Sequence, residues 1–173
     1  HTAARELKEE TGLKLSVKEF KEVGTFSDIK RDPRERVITV AHYALVKLAE
    51  VQADTDADKT EWFVLSDVPS LAFDHDKILR DAFYRLKQDI HFQPVGFELL
   101  PEVFTLPQLQ NLYESILEVK FDRRNFANKM KHFGMLSEIE DDTPRHGTRT
   151  PIKYRFDKEN YERLKAKGFQ LEF

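Results

Sequence analysis

A short acidic helix near the start of the chain constrains its fold and chemistry more than any other feature. Glu6, Glu9 and Glu10 stand at i, i+3 and i+4, so one helical face carries three neighbouring carboxylates, and Gly12 supplies the stop. Like charges at this spacing destabilise an isolated helix by roughly 0.2–0.5 kcal/mol per pair. A hard cation such as Mg²⁺ would offset that repulsion, which points to phosphate chemistry. The alternative is a solvated acidic face, because charged residues are mostly exposed.

The stretch Arg5–Leu13 resembles the second half of the Nudix box, Arg-Glu-(aliphatic)-x-Glu-Glu-x-Gly-(aliphatic), and it matches every specified position. The resemblance implies that the three glutamates hold Mg²⁺ against a diphosphate, with Glu9 and Glu10 catalytic if the protein is an active hydrolase. It also implies that Arg5 braces a neighbouring glutamate, here Glu9 at i+4. The glycine and glutamate of the first half would lie upstream of His1, so we expect this sequence to be a piece of a longer protein.

Length and composition limit the classes of protein to which this chain could belong. At 173 residues, 40% hydrophobic and 12% aromatic, the chain is long enough for one large or two small globular domains. It has no cysteine, which excludes disulfides and thiolate metal sites and fits a reducing, cytoplasmic interior. No run of about 18 apolar residues is present, so we expect no membrane partner.

The net charge of −3 conceals an asymmetry between the two ends of the chain. Residues 1–122 contain 16 Lys and Arg against 23 Asp and Glu, a balance of −7, whereas residues 123–173 contain 12 against 8, a balance of +4. This split predicts two modules, of which the C-terminal one binds a polyanion.

The first module has the pattern of a mixed α and β domain. The predicted elements are a weak strand within Leu15–Phe26, a turn-rich loop over 28–36, a strand covered on both faces over Val37–Val46, a strand over Glu61–Leu65, and an amphipathic helix over Asp76–Ile90. We interpret His42, inside the longest strand, as a hydrogen-bonded core histidine.

Three arginines in the loop are the candidate effector-binding residues. Arg31, Arg34 and Arg36 carry guanidinium groups that match phosphate oxygens in geometry and charge. The alternative is a solvated loop with internal ion pairs. The loop, the following strand and the run Phe73-Asp74-His75 resemble the Nudix branch that handles ADP-ribose and related nucleotide sugars.

A break at Gln93-Pro94-Val95-Gly96 predicts a domain boundary. We therefore expect a Nudix-like effector-binding domain over 1–92, a linker and the start of the second domain over 93–104, and a second domain over 105–173.

Helix-capping signals are clear in the second domain. Thr105 followed by Gln108 predicts a capping box at the start of one helix. Asp122 predicts the N-cap of a second helix, with Phe121 and Phe126 as its hydrophobic staple.

The elements that follow complete the pattern of a winged helix-turn-helix. Gly134 ends the second helix, short strands are predicted over Leu136–Glu140 and Ile152–Phe156, and Asp157 begins a last helix that reaches Gly168. In this motif the second helix enters the major groove of DNA, and the hairpin reaches phosphate or the minor groove.

The second helix divides into an apolar face, Phe126, Met130 and Phe133, and a polar face that predicts DNA contacts. The candidate DNA-binding residues, including those of the hairpin, are Arg123, Arg124, Asn125, Asn128, Lys131, Arg145, Arg149 and Lys153. The alternative is a small protein-interaction domain with an ordinary polar helix face.

These patterns predict an α+β protein, a partial Nudix α/β/α fold followed by a winged helix. The chain resembles the Nudix-related transcriptional regulators of bacteria. The resemblance implies that a homodimer binds a palindromic double-stranded DNA operator. It also implies that an effector releases the protein from the operator, and that this effector is ADP-ribose in NAD metabolism or a pentose such as arabinose. Two alternatives stay open, a Mg²⁺-dependent Nudix hydrolase acting on ADP-ribose or a similar compound, and an adaptor that binds an acidic protein.

Overall fold

The computed structural model describes residues 2–47, 61–139, 151–168 and 171. The chain divides into two compact units, residues 1–85 and 86–173. We predicted the boundary at Gln93–Gly96, but the division falls within a helix that runs over His75–Phe92. The physical reason is that the last turns of this helix bury Leu86 and Ile90, which belong to the core of the second unit.

The first unit begins with a helix and contains a small sheet. Its elements are α1 (Thr2–Thr11), β1 (Lys21–Phe26), β2 (Thr39–Tyr43), the start of α2 (His75–Phe92) and single 3-10 turns at Val17–Glu19 and Leu65–Asp67. Helix α1 stops as predicted, because Gly12 takes a left-handed φ of 74°.

Strands β1 and β2 pair antiparallel, with a bulge at Val23 where the register shifts. We predicted a longer strand covered on both faces. In the described residues only Ala41 of β2 is buried, while Ile38 beside the strand is 60% exposed and Val40 is 49% exposed. The prediction of two covered faces was wrong, because an apolar run signals a tendency to be buried but does not supply the covering element.

Two further expectations for this unit were wrong. His42 keeps a hydrogen-bond contact, its Nδ1 lying 3.2 Å from the carbonyl oxygen of Val40, but the side chain is exposed rather than in the core. The predicted strand over Glu61–Leu65 is irregular, and Trp62 is 53% exposed. The chain turns at this point because the amide of Asp67 donates to the carbonyl of Val64.

In its described residues, the second unit contains a three-stranded antiparallel sheet and three helices of its own. Its elements are a 3-10 turn at Phe97–Leu99, β3 (Phe104–Thr105), α3 (Leu106–Leu117), α4 (Arg123–Phe133), β4 (Leu136–Ile139), β5 (Lys153–Phe156) and α5 (Lys158–Ala166). The strand order is β3-β5-β4, and Phe104 lies opposite Tyr154 in the sheet. Strand β3 was not predicted, since two residues are too short to show alternation.

Aromatic side chains build the core of the second unit. The ring centroid of Phe97 lies 4.5 Å from that of Phe156, and the ring of Tyr113 meets that of Phe126 edge-on at 6.0 Å. Met130 of α4 is fully buried beside this cluster of large side chains. The position of α4 is therefore fixed by its apolar face, as the sequence pattern predicted.

Candidate functional site

The acidic face of α1 contains the predicted brace. Nη1 of Arg5 lies 3.2 Å from both carboxylate oxygens of Glu9, and Nη2 lies 4.0 Å from Glu6. The brace between Arg5 and Glu9 is therefore confirmed. The side chains are 63% and 58% exposed, so the pair contributes at most about 1 kcal/mol to stability.

The predicted metal ligands do not gather into a cluster. Among residues 2–47, 61–139, 151–168 and 171, no group of three His, Cys, Asp or Glu side chains has a geometry that could hold a metal ion. Carboxylates are the ligands that Mg²⁺ prefers, but Glu6, Glu9 and Glu10 alone do not form a cage for it here. The Mg²⁺ site and the catalytic role of these residues stay predictions.

Arg31 forms an enclosed internal ion pair, and its contact with an effector stays a prediction. Its side chain is only 4% exposed, and its Nε and Nη2 donate to the two carboxylate oxygens of Asp74, both at 2.9 Å, while Nη1 donates to the hydroxyl of Thr39. The guanidinium lowers the pKa of the Asp74 carboxyl below its usual range. Arg31 and Asp74 therefore form a clamp that ties the 28–36 loop to the start of α2. Two donor groups of the guanidinium bond the two oxygens of this one carboxylate.

Arg34 and Arg36 lie at the surface of the same loop. Nε and Nη2 of Arg34 donate to Asp32 at 3.0 and 2.8 Å, which lowers the pKa of that carboxyl to about 2. The guanidinium of Arg34 also lies 4.7 Å from the ring centroid of Phe73, which is 48% exposed and has a left-handed φ of 58°. Arg36 is exposed. Arg34 is thus paired with Asp32 and lies over Phe73, while Arg36 lies exposed in the same loop.

A cleft of about 500 Å³ lies between β1 and the first turns of α2. Phe26 and Lys77 meet there, with the ammonium 5.9 Å from the ring centroid, and Asp81 and the exposed Tyr84 also line it. None of the three candidate arginines lines this cleft. Arg31 nevertheless adjoins the cleft, because its partner Asp74 lines it.

The starts of α3 and α4 are built as the sequence predicted. The amide of Thr105 donates to Oε1 of Gln108 at 2.8 Å, and the Asp122 carboxylate accepts from the amide of Asn125 at 2.8 Å. The rings of Phe121 and Phe126 are 5.4 Å apart, which confirms the staple.

Helix α4 presents its polar face to solvent. Phe126, Met130 and Phe133 are buried, which confirms the predicted apolar face. The exposed residues of this helix include Arg123, Arg124, Asn125, Asn128 and Lys131. Exposed Arg and Asn side chains on a capped helix are suited to read guanine and adenine in the major groove.

The hairpin residues are only partly described. Lys153 is exposed at the start of β5, opposite Ile139 of β4. Arg145 and Arg149 lie outside the described residues, so their contact with DNA stays a prediction.

Glu114 was missed by the sequence reasoning, although it organises the turn between α3 and α4. Its side chain is 8% exposed and accepts hydrogen bonds from Nε2 of Gln110 at 2.9 Å, from Nζ of Lys120 at 2.7 Å and from the amide of Phe121 at 3.0 Å. These donors lower the pKa of the carboxyl to about 2. The only signal in the sequence was the i, i+4 spacing of Gln110 and Glu114, which is common on helix surfaces.

No helix in the described part of the chain combines the length and the apolar character needed to cross a membrane.

Two protein-family models match this chain. A model described as the NUDIX domain matches residues 1–82, and a model described as the NrtR DNA-binding winged helix domain matches residues 96–156. The matches agree in type and order with the two units of the structure.

Two curated relatives and a solved structure are also similar to this chain. The ADPR responsive transcriptional repressor NtrR of Acinetobacter baylyi is 33% identical over 163 residues, which is 92% of this chain and 64% of that protein. An ADP-ribose pyrophosphatase of Methanocaldococcus jannaschii is 46% identical over 77 residues, 44% of each chain. The crystal structure of Shewanella oneidensis NrtR complexed with a 27mer DNA has a TM-score of 0.68 at 25% identity, over 88% of this chain and 69% of that one. The chain thus spans 64% of the repressor's length.

Proposed function

The chain belongs to the family of Nudix-related transcriptional regulators, and from this premise we propose that it is a bacterial repressor that binds operator DNA and responds to ADP-ribose. The relatives support both halves of the proposal, since one is described as an ADPR responsive repressor and another was solved with DNA. As a DNA-binding regulator it would act in the cytoplasm.

One observation carries the DNA-binding half of the proposal, namely the placement of α4. The helix is anchored by its buried apolar face and by the Asp122 cap, so its opposite face is held rigidly toward solvent. Arg124 and Asn128, which are one helical turn apart on that face, can make bidentate contacts with base edges. A rigid reading helix is what sequence discrimination requires, because a mobile side chain loses entropy at each contact.

The test of DNA binding begins with selection of double-stranded DNA from a random library by the full chain. Fluorescence anisotropy then compares the selected operator with a scrambled duplex of equal length. We expect Arg124→Ala or Asn125→Ala to cost about 1–3 kcal/mol on the operator and to relax its sequence preference, as loss of a base contact does. Normal folding of both variants with unchanged affinity and preference would contradict the proposal and favour the protein-interaction domain.

The effector half of the proposal is assigned to the first unit. The clamp between Arg31 and Asp74 holds the loop, and beside it the guanidinium of Arg34 stacks on the exposed ring of Phe73. Arg36 adds a second exposed cation. The guanidinium groups of Arg34 and Arg36 at the surface of this loop match the negative charge of a diphosphate, which ADP-ribose contains.

Calorimetry with ADP-ribose, AMP and arabinose tests this assignment. We expect ADP-ribose to bind, and Arg36→Ala to weaken it, whereas Lys18→Ala removes an exposed cation elsewhere in the unit and should have no effect. If the chain binds arabinose but not ADP-ribose, its effector is a pentose and not a nucleotide sugar. If ADP-ribose weakens DNA binding by some factor, thermodynamic linkage requires that the operator complex bind ADP-ribose more weakly by the same factor.

A second candidate function is hydrolysis of ADP-ribose. It is favoured by the match of Arg5–Leu13 to the Nudix box and by the similarity to an ADP-ribose pyrophosphatase. Release of AMP from ADP-ribose in the presence of Mg²⁺, abolished in Glu9→Gln and Glu10→Gln, would support an enzyme. Absence of turnover in the parent chain, with ADP-ribose binding intact, would leave the protein as a sensor.

The homodimer is part of the same proposal, because a two-fold protein explains a palindromic operator. Light scattering of the full chain, free and with a duplex containing one operator, measures it. Two chains per duplex are expected, and one chain per duplex would contradict the dimer.

A further inference from the structure

A second cleft, of about 520 Å³, lies in the second unit beside α4. One wall is the start of α3, Thr105 to Pro107, and another is formed by Ile152 and Tyr154 around the start of β5. Helix α4 forms the remaining side. The cleft therefore adjoins the helix to which we assign DNA reading.

The residues of α4 that line this cleft form a single stripe. Arg123, Ala127 and Lys131 are four residues apart, so they lie above one another on one side of the helix. Arg124 and Asn128, which are one position further around, do not line it. The polar face of α4 is thus two surfaces, one that borders the cleft and one that faces outward.

The stripe has the charge and the space for an anion. Ala127 is the smallest side chain of the stripe and separates the two cations, which leaves the middle of the cleft open. No Asp or Glu is among the described residues that line the cleft. Within the described residues no carboxylate forms an ion pair with Arg123 or Lys131, and Lys131 Nζ lies 5.9 Å from the ring centroid of Tyr154.

The start of α3 adds to the positive potential of the cleft. A helix N-terminus carries a partial positive charge from its first amides. In the first turn of α3, Pro107 has no N–H and the amide of Gln108 donates to the Thr105 side chain, so these two positions offer no amide to an anion. Arg123 and Lys131 therefore supply the positive charge of the cleft, and the dipole of α3 adds to it.

We propose that this cleft seats a backbone phosphate of DNA, held by Arg123 and Lys131, and that these two residues set affinity rather than sequence preference. The proposal rests on the proposed DNA-binding function and deepens it. A phosphodiester is the occupant that fits, because the cleft opens beside the outward face of the same helix, where Arg124 and Asn128 would meet base edges. Lys131 is thereby reassigned from the reading face, where the sequence pattern placed it.

The experiment measures the affinity of the full chain for the selected operator and for a scrambled duplex over a range of salt concentrations. Arg123→Ala and Lys131→Ala should weaken both duplexes by the same factor, and each should lower the slope of log K against log salt by about one. Asn128→Ala should weaken the operator alone and leave the slope unchanged. Lys131→Arg should retain the parent slope.

Two controls separate the cleft from charge in general. Lys165→Ala removes a cation of α5 that does not line the cleft, so it should change the slope by much less than one. Ala127→Leu keeps every charge but fills the cleft, and should weaken both duplexes while circular dichroism stays that of the parent.

Three outcomes would overturn the proposal. If Arg123→Ala and Lys131→Ala weaken only the operator and leave the slope unchanged, the two residues read bases. If Lys165→Ala lowers the slope as much as Arg123→Ala and Lys131→Ala do, the loss of affinity reflects the overall charge of the unit and not the cleft. If the parent binds inorganic phosphate saturably and Lys131→Ala abolishes that binding while leaving DNA affinity intact, the cleft holds a small anion. A parent chain that binds no duplex at any salt would instead refute the DNA-binding function itself.

Discussion

The two units of this chain differ in how their described residues are held together. Among the described residues, 18 apolar side chains are buried, of which 17 lie in the second unit and Ala41 alone lies in the first. In the first unit, the ion pair between Arg31 and Asp74 joins two segments that are distant in the sequence, and the Arg31 side chain is only 4% exposed. The difference teaches that the second unit has a hydrophobic core of its own, whereas polar pairing positions the loop of the first.

This contrast matters for function because the two units meet different demands. A helix that reads DNA must be held rigidly, and burial of Phe126 and Met130 achieves that. Under the proposed function, the loop of the first unit would bind the effector, and the enclosed pair between Arg31 and Asp74 would hold that loop in place.

The largest effect is expected from truncation in the core of the second unit. Phe126→Ala should lower the stability of that unit by about 3–5 kcal/mol, since it removes a buried ring and leaves a cavity. Val40→Ala in the first unit, where the side chain is half exposed, is the matched control and should cost less than about 1 kcal/mol. Urea denaturation followed by circular dichroism measures both, and equal losses would remove the contrast.

A smaller effect, confined to the first unit, is expected from breaking the clamp. Arg31→Met leaves the Asp74 carboxylate without its main partner, so amide exchange over the 28–36 loop should accelerate. Arg34→Met removes a pair whose arginine side chain is 70% exposed and should change exchange much less. The double variant Arg31→Met/Asp74→Asn should recover part of the protection, and a double variant worse than both singles would argue against the clamp.

A weaker and pH-dependent effect is expected at the turn before α4. The folded pKa of Glu114 is about 2, below the ordinary 4.5, so its stabilisation is fully present above the ordinary pKa and is lost as pH falls through the folded value. Glu114→Gln should therefore destabilise the second unit at neutral pH, and the difference from the parent should shrink between pH 4.5 and 2. Thermal unfolding across this range provides the measurement, and a difference that stays constant with pH would exclude the carboxylate charge as its cause.

The smallest effect is expected on α1. Arg5→Ala removes the exposed pair with Glu9 and should change stability by less than about 1 kcal/mol, and less still at high salt. Thermal unfolding at low and high salt measures it. A larger loss would indicate that the helix is held by more than its surface charges.

Local sequence signals predicted much of the secondary structure of the second unit. The capping box at Thr105, the Asp122 cap, the Gly134 stop and the buried face of α4 all depend on residues within a few positions of one another. Such signals can be read from the sequence because the interacting groups are fixed by helix geometry. The order of elements then led to the winged helix, which the family model over residues 96–156 confirms.

The sequence by itself thus determined the two domain types, the helix ends and the polar face of α4. The tertiary structure alone decided that Arg31 is an internal clamp, that Glu114 organises the turn before α4, and that Arg123 and Lys131 border a cleft while Arg124 faces outward. The clamp joins residues 43 positions apart, and the cleft brings α3, α4 and β5 together. Periodicity assigns a side chain to a face of its own element, but the partner on that face comes from a distant segment, and only the packed chain specifies it.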